Sequence, residues 1–207
     1  MAGEAPASPD LPGHWCVPLG DLISLENCVA RRTLPWQEVV QRGRKILALL
    51  LAWEARGISH GFLSPRAVWL GDEEVRLSDL GMHGFAGPSP IPEYWAPERG
   101  PDSVRPVTPA ADVYALGAVL AYALVGYPPR PLSLGAGPDL SHLQLSAPDP
   151  IRLLLAKMLS PAPEDRPTLR AALLALSALE ERQPGACPLP GHGRVRRGLR
   201  SPGRKSG

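Results

Sequence analysis

The chain has 207 residues, of which 44% are hydrophobic and 20% are charged, and its formal net charge is +2 at neutral pH. This length and composition allow one folded domain with its own core, and no apolar run is long enough for a membrane-spanning helix. Three scattered cysteines favour neither a disulfide framework nor a zinc site. The first ten residues do not resemble a signal peptide. We therefore expect an intracellular protein, in the cytoplasm, with the nucleus as the alternative.

Hydrophobic periodicity predicts helices that are separated by proline-rich turns. The third of them is apolar almost all round, which is typical of a buried central helix. Between the second and third helices, two short apolar runs flank a Gly-Asp pair and predict a β-hairpin. In chain order, the predicted elements are the helices Leu19–Ala30 and Trp36–Arg56, the strands Val68–Leu70 and Val75–Leu77, and the helices Pro109–Gly126, Ile151–Leu159 and Leu169–Leu179.

Both ends of the chain differ from the body. Residues 1–18 are rich in Ala, Pro and Gly and predict a disordered or capping segment ahead of a helical domain at residues 19–182. Residues 183–207 contain six basic residues and no acidic one, which predicts a disordered basic tail. Such a tail can carry a nuclear localisation signal, contact an anionic partner such as nucleic acid or a membrane, or only improve solubility. No nucleic-acid partner is predicted from it.

The segment HGFLSPRAV at residues 60–68 directly follows the second predicted helix. It resembles the catalytic loop of protein kinases, whose pattern is H-R-D-L-x-x-x-N. His60 matches the pattern, but Phe62 stands at the position of the Asp that accepts the substrate proton. Ser64 stands at the position of a lysine, and Ala67 at that of the magnesium-binding Asn. The frame of a catalytic loop is therefore present without its catalytic groups.

Four further segments follow in the order in which kinases have them. They match the D-F-G motif, the A-P-E segment, the start of the central C-lobe helix and the start of a late helix. These segments are Ser78–Gly81, Tyr94–Glu98, Ala111–Gly117 and Glu164–Thr168. With the loop they give a resemblance to the protein kinase-like superfamily. Because residues 1–18 hold neither a Gly-rich loop nor an ATP-binding lysine, the chain resembles the kinase non-catalytic C-lobe domain.

This resemblance implies a mainly α, kinase-like C-lobe with a short β-hairpin and no N-lobe. It also implies structural roles for Glu98 and Arg166, as a buried ion pair, and for Asp112, as an acceptor for the loop backbone. His60 is expected to hold the loop in shape. Asp79 is the one remaining metal-binding candidate, as a weak magnesium ligand or only as a cap of the following turn.

The function implied is that of a pseudokinase, a catalytically inactive domain that serves as a scaffold or protein-binding module. No cofactor and no further metal site are expected. Phe62 and Trp69 are the candidate partner contacts, because they lie nearest the vacated nucleotide cleft in the family layout. Two alternatives stay open: a nucleotide-binding pseudokinase or residual serine/threonine kinase that binds ATP, and a truncated isoform without independent function.

Overall fold

The computed structural model describes residues 22–80, 92–99, 107–130 and 138–181. The segment 1–18, the tail 183–207 and most of the stretch between Asp79 and Glu98 lie outside these ranges. The described residues form five α-helices, one three-stranded antiparallel sheet and three short 3-10 helices, which confirms the predicted mainly α fold. None of the helices in these ranges is long and apolar enough to cross a membrane.

The elements are numbered in chain order. The strands are β1 (Ile23–Ser24), β2 (Val68–Leu70) and β3 (Val75–Leu77), paired in the order β1-β2-β3. The helices are α1 (Leu25–Val29), α2 (Trp36–Glu54), α3 (Pro109–Val125), α4 (Asp149–Met158) and α5 (Leu169–Glu181). The 3-10 helices are Pro92–Tyr94, Ser141–Leu145 and Pro163–Asp165.

The prediction of a single helix at Leu19–Ala30 is wrong at its start. Ile23 and Ser24 form the edge strand β1, which pairs antiparallel with β2, and α1 begins only at Leu25. The Ser24 hydroxyl accepts a hydrogen bond from the backbone N–H of Asn27 at 3.2 Å. This is the arrangement of an N-cap, which satisfies a free amide of the first helical turn. Pairing with β2, and not helical periodicity, therefore decides the local structure here.

Helix α3 is the centre of the core, and nearly every residue along it is buried. It is capped by the Thr108 hydroxyl, which accepts from the Ala111 N–H at 3.3 Å, and it ends at Gly126, whose φ of 88° suits glycine. α2 packs against α3 and α5, and α4 packs against α3 and α5. At Gly117 a Cβ atom would lie 3.0 Å from Met158 Cβ, so α3 and α4 approach each other closely at this point.

The hairpin β2–β3 is tied to α2 by a buried charge. Arg42 on α2 is only 9% exposed, and its guanidinium donates to the carbonyl oxygens of Asp72 at 3.1 Å and Glu74 at 3.4 Å in the hairpin turn. Glu38, one turn earlier on α2, lies 3.7 Å from Arg42 and 3.1 Å from Arg32. The buried cation is therefore compensated by one carboxylate and two carbonyl groups, as burial of a charge requires.

Candidate functional site

The loop that follows α2 enters the core at His60. α2 stops before Gly57, which adopts a φ of 72° that favours glycine. His60 is fully buried, with its ring 5.6 Å from that of Trp53. Asp112, in the first turn of α3, accepts the N–H of His60 at 2.7 Å through Oδ2 and that of Gly61 at 2.8 Å through Oδ1. The backbone of the loop is thereby fixed to the central helix.

The carboxylate of Asp112 is almost completely buried, at 2% exposure. Burial raises its pKa to about 6, although the backbone N–H groups of Gly61 and His60 and the nearby Arg99 favour the charged form. Both carboxylate oxygens are occupied by backbone amides. Asp112 is therefore placed to order the backbone of the loop.

The side chains at the three degenerate positions of the loop carry no ionisable group. Phe62 is half-buried, and its N–H donates to His60 Nδ1 at 3.2 Å. Ser64 is also half-buried, and its carbonyl oxygen accepts the Ala67 N–H at 3.0 Å. The methyl group of Ala67 is fully buried in the core. None of these three side chains offers a carboxylate, an amine or an amide to a substrate.

Arg99, which no sequence motif singled out, lies against this loop. Its guanidinium carbon is 5.0 Å from the ring centroid of Phe62 and 5.2 Å from that of Trp95. The same guanidinium donates through Nη1 to the carbonyl oxygen of Gly61. Arg99 follows directly after the A-P-E segment, and only folding brings it to residues 61 and 62. The only sequence feature that could have drawn attention to Arg99 is therefore its place directly after the A-P-E segment.

Asp79 and Trp69 lie beside the end of β3. The N–H of Ser78 donates to the Ala67 carbonyl oxygen at 2.9 Å, so Asp79 leaves the sheet next to the degenerate loop. Asp79 is exposed and has a φ of 64°, a left-handed conformation that is unusual for a residue other than glycine. Trp69 on β2 is half-buried, and its indole N–H donates to Ser78 Oγ at 3.1 Å. Within the described ranges, no group of three or more His, Cys, Asp or Glu residues is arranged to hold a metal ion.

Glu98 and Arg166 form a two-pronged ion pair. Nη1 and Nη2 of Arg166 donate to the two carboxylate oxygens of Glu98 at 2.7 and 2.8 Å, and the Arg166 side chain is fully buried. The remaining guanidinium bonds go to the carbonyl oxygens of Ser160 at 2.8 Å, Pro161 at 2.9 Å and Ala110 at 3.0 Å. One side chain thus joins the A-P-E segment to the start of α3 and to the turn before α5.

The electrostatics of this pair favour its charged form. Burial alone would raise the pKa of Glu98, but the hydrogen bonds from Arg166 and the neighbouring charges of Arg166 and Arg99 outweigh burial and lower the pKa below its ordinary value. The Glu98 carboxyl is therefore ionised at neutral pH and can accept both hydrogen bonds from Arg166.

No protein-family model matches the sequence. Similar proteins are nevertheless found among known kinases. The chain is 30% identical over 161 residues to the serine/threonine-protein kinase PkaA of Streptomyces coelicolor. The aligned region covers 66% of this chain and 28% of that protein. It is 32% identical over 161 residues to the inactive serine/threonine-protein kinase PLK5 of Mus musculus, covering 67% of this chain and 26% of that protein. It is 35% identical over 114 residues to the serine/threonine-protein kinase PknK of Mycobacterium tuberculosis, covering 50% of this chain and 10% of that protein. The chain spans less than a third of the length of each of these relatives.

Proposed function

This chain belongs to the protein kinase-like superfamily, as a partial, C-lobe-like domain, and on that premise we propose that it is catalytically inactive and acts as a protein-binding or scaffold module. One observation carries the proposal. Asp112 holds the loop backbone in place, while Phe62, Ser64 and Ala67 occupy the positions of the catalytic groups. The similarity to PLK5, whose name describes it as inactive, adds support.

The chemistry of phosphoryl transfer supports inactivity. The reaction needs positioned metal ions, stabilisation of the transferred charge and an acceptor for the proton of the attacking hydroxyl. Phe62 cannot accept a proton, and its ring lies under the cationic group of Arg99. Ala67 has no ligand atom. Asp79 offers one exposed carboxylate, and a single hard ligand is a weak magnesium site.

The groups that support the fold stand in contrast to this loop. Glu98, Arg166 and Asp112 make hydrogen bonds that join distant parts of the chain. In this proposal these residues maintain a rigid domain, which acts by binding a partner at its surface and not by catalysis. The domain proposed is residues 19–182, with residues 1–18 and the basic tail 183–207 as flanking segments. The compartment proposed is the cytoplasm, with the nucleus as the alternative.

Phe62 and Trp69 are the proposed contacts for a protein partner. Both are aromatic and half-buried, one on the loop and the other on β2. Half-exposed aromatic side chains contribute strongly to binding when a partner covers them. The basic tail is a second proposed contact, for an anionic surface of the same or another partner.

A nucleotide-binding role is the second candidate, and the exposed carboxylate of Asp79 is the observation that favours it. Two assays of the purified chain separate the candidates: transfer of label from γ-labelled ATP with Mg²⁺, and thermal unfolding with and without Mg²⁺-ATP. We expect no transfer and no rise in the melting temperature. A nucleotide at a hundredfold excess over its Kd would add about 2.7 kcal/mol to the stability. Transfer that is lost in Asp79→Asn would establish a residual kinase instead.

Partner binding is tested with variants of aromatic residues that are at least partly exposed. Partners of the full chain are crosslinked and identified, and the affinity of each is then measured with the purified partner for wild type, Phe62→Ala, Trp69→Ala and Tyr127→Ala. Tyr127 is a matched control, since it is aromatic, 46% exposed and located after α3. We expect at least a tenfold loss of affinity, about 1.4 kcal/mol, in the first two variants and none in the control. Equal affinities for all four proteins would refute the proposed surface.

A further inference from the structure

Arg99 connects two parts of the chain that are 38 positions apart. It directly follows the A-P-E segment, and it donates to the Gly61 carbonyl oxygen in the degenerate loop. Its guanidinium also lies over the rings of Phe62 and Trp95. The half-buried Arg99 side chain therefore contacts the backbone of Gly61 and the side chain of Phe62. These two positions correspond to the Arg and the Asp of the kinase H-R-D pattern.

The peptide groups on both sides of Gly61 are fixed by these contacts. Its N–H donates to Asp112 at 2.8 Å, and its carbonyl oxygen accepts from Arg99. Gly61 has a φ of 82°, a region that glycine adopts at little cost. Two hydrogen bonds, one from the N–H and one to the carbonyl oxygen of Gly61, therefore hold the loop in this conformation.

The geometry suits arginine in particular. A planar guanidinium can stack on aromatic rings with its face while it donates hydrogen bonds in its plane, whereas a lysine ammonium cannot do both. Burial lowers the pKa of Arg99, and the carboxylates of Asp112 and Glu98 oppose that shift. The side chain is therefore a cation in partial contact with solvent, close to both carboxylates and directly next to residue 62.

We propose that Arg99 is a lock, which holds the loop in its non-catalytic arrangement and would neutralise a carboxylate placed at position 62. A single reversion of Phe62 to the acid of the kinase pattern would then create an ion pair with Arg99 and not a free proton acceptor. The inference goes beyond the proposed function, because it concerns the order of the loop and involves neither a partner nor a nucleotide.

Amide hydrogen exchange in the full chain tests the first half of this proposal. The variants are Arg99→Met, which keeps length and apolar packing but removes the charge and the donor, and Arg99→Lys, which keeps the charge. Arg66→Met is the matched control, because Arg66 lies in the same loop and pairs with Glu26 at the surface. The exchange rate of the Gly61 amide is compared with that of a core amide in α3, which reports global unfolding.

We expect Arg99→Met to accelerate exchange at Gly61 at least tenfold relative to the core amide, Arg99→Lys to give a smaller acceleration, and Arg66→Met to give none. Equal acceleration at Gly61 and in the core would overturn the lock, since Arg99 would then act only on global stability. If Arg99→Met does not fold, Arg99→Lys is the deciding variant. A ratio of the Gly61 exchange rate to the core exchange rate that stays within twofold of the wild-type ratio would then overturn the proposal.

Titration of a carboxyl group at position 62 tests the second half. In Phe62→Asp we expect the new carboxyl to titrate at least one pH unit below the ordinary Asp pKa of about 3.9, because a cation lies within reach. In the double variant Phe62→Asp/Arg99→Met the pKa should return to that value or rise above it. The same pKa with and without Arg99 would show that the guanidinium does not neutralise an acid here. Carbon-detected NMR of the carboxyl group gives both values.

Discussion

Replacement of Arg166 by alanine is expected to remove a large part of the stability of this domain. A guanidinium has five N–H donors, and Arg166 uses its three nitrogen atoms for five hydrogen bonds, two to Glu98 and three to backbone carbonyl oxygens. The variant would leave the carboxylate of Glu98 without its partner and would remove the Arg166 donor from the carbonyl groups of Ser160, Pro161 and Ala110. Removal of one partner of a buried ion pair costs about 3 to 5 kcal/mol, and domains are stable by only about 5 to 15 kcal/mol.

The lower end of that range applies, because the side chain of Glu98 is 22% exposed and water can solvate it in part. A loss of about 3 kcal/mol corresponds to a fall of about 6 to 12 °C in the melting temperature of a domain of this size. Circular dichroism melts of wild type, Arg166→Ala and Arg66→Ala measure it. Arg66 is the control, since its ion pair with Glu26 is exposed and should contribute only about 0 to 1 kcal/mol. Equal, small losses in both variants would mean that the Glu98–Arg166 pair does not support the fold.

The same pair has a pH dependence of known sign. The pKa of Glu98 in the folded chain lies below its ordinary value of 4.5, since the contacts with Arg166 outweigh burial. A group with a lowered pKa stabilises the fold above its unfolded pKa, and this contribution is lost as the pH falls through the folded pKa. The stability difference between wild type and Glu98→Gln should therefore shrink below pH 4.5. A difference that stays constant down to pH 3 would contradict the lowered pKa.

Three further expectations concern single residues. Asp79→Gly should be more stable than Asp79→Ala by about 1 kcal/mol in urea unfolding, because the φ of 64° strains a residue with a Cβ atom; equal stabilities would contradict this. Asp112 should titrate in the folded chain near pH 6 by NMR, and its contribution to stability should fall as the pH rises from 3.8 through that value. A midpoint near pH 4 would show that the amides outweigh burial. Gly117→Ala should lower the stability by about 1 to 2 kcal/mol, because its Cβ would lie 3.0 Å from Met158 Cβ. A gain in melting temperature would refute that close contact.

Local signals were sufficient to predict several elements from the sequence. Helix α3 was predicted at its observed start and within one residue of its end. Thr108 precedes it, Pro109 is its first residue and Gly126 follows it. The strands β2 and β3 were predicted at their observed bounds, since the turn between them contains glycine and acidic residues. In each case the residues that decide the structure lie within a few positions of the element itself.

The features that sequence reasoning missed depend on residues far apart in the chain. β1 continues an apolar pattern that also fits a helix, and only its pairing with Trp69 and Leu70 makes it a strand. Arg99 meets Phe62 across 37 positions, and nothing in the few residues around it indicates a stacking role. For the candidate site, the match to the kinase pattern was sufficient to identify which residues form the loop. The cation that covers the loop could be recognised only from the packing.

The contact between Arg42 and the hairpin turn has a consequence for the order in which the chain folds. During synthesis, α2 leaves the ribosome with Arg42 about thirty residues ahead of the carbonyl groups of Asp72 and Glu74 that receive it. Until the turn has emerged, burial of Arg42 would leave a cation without those two acceptors, which is unfavourable. The face of α2 that carries Arg42 is therefore completed only together with the hairpin, whereas the contacts of α2 with α3 and α5 need parts of the chain that are made later. Completion of this face of α2 is therefore coupled to formation of the hairpin turn.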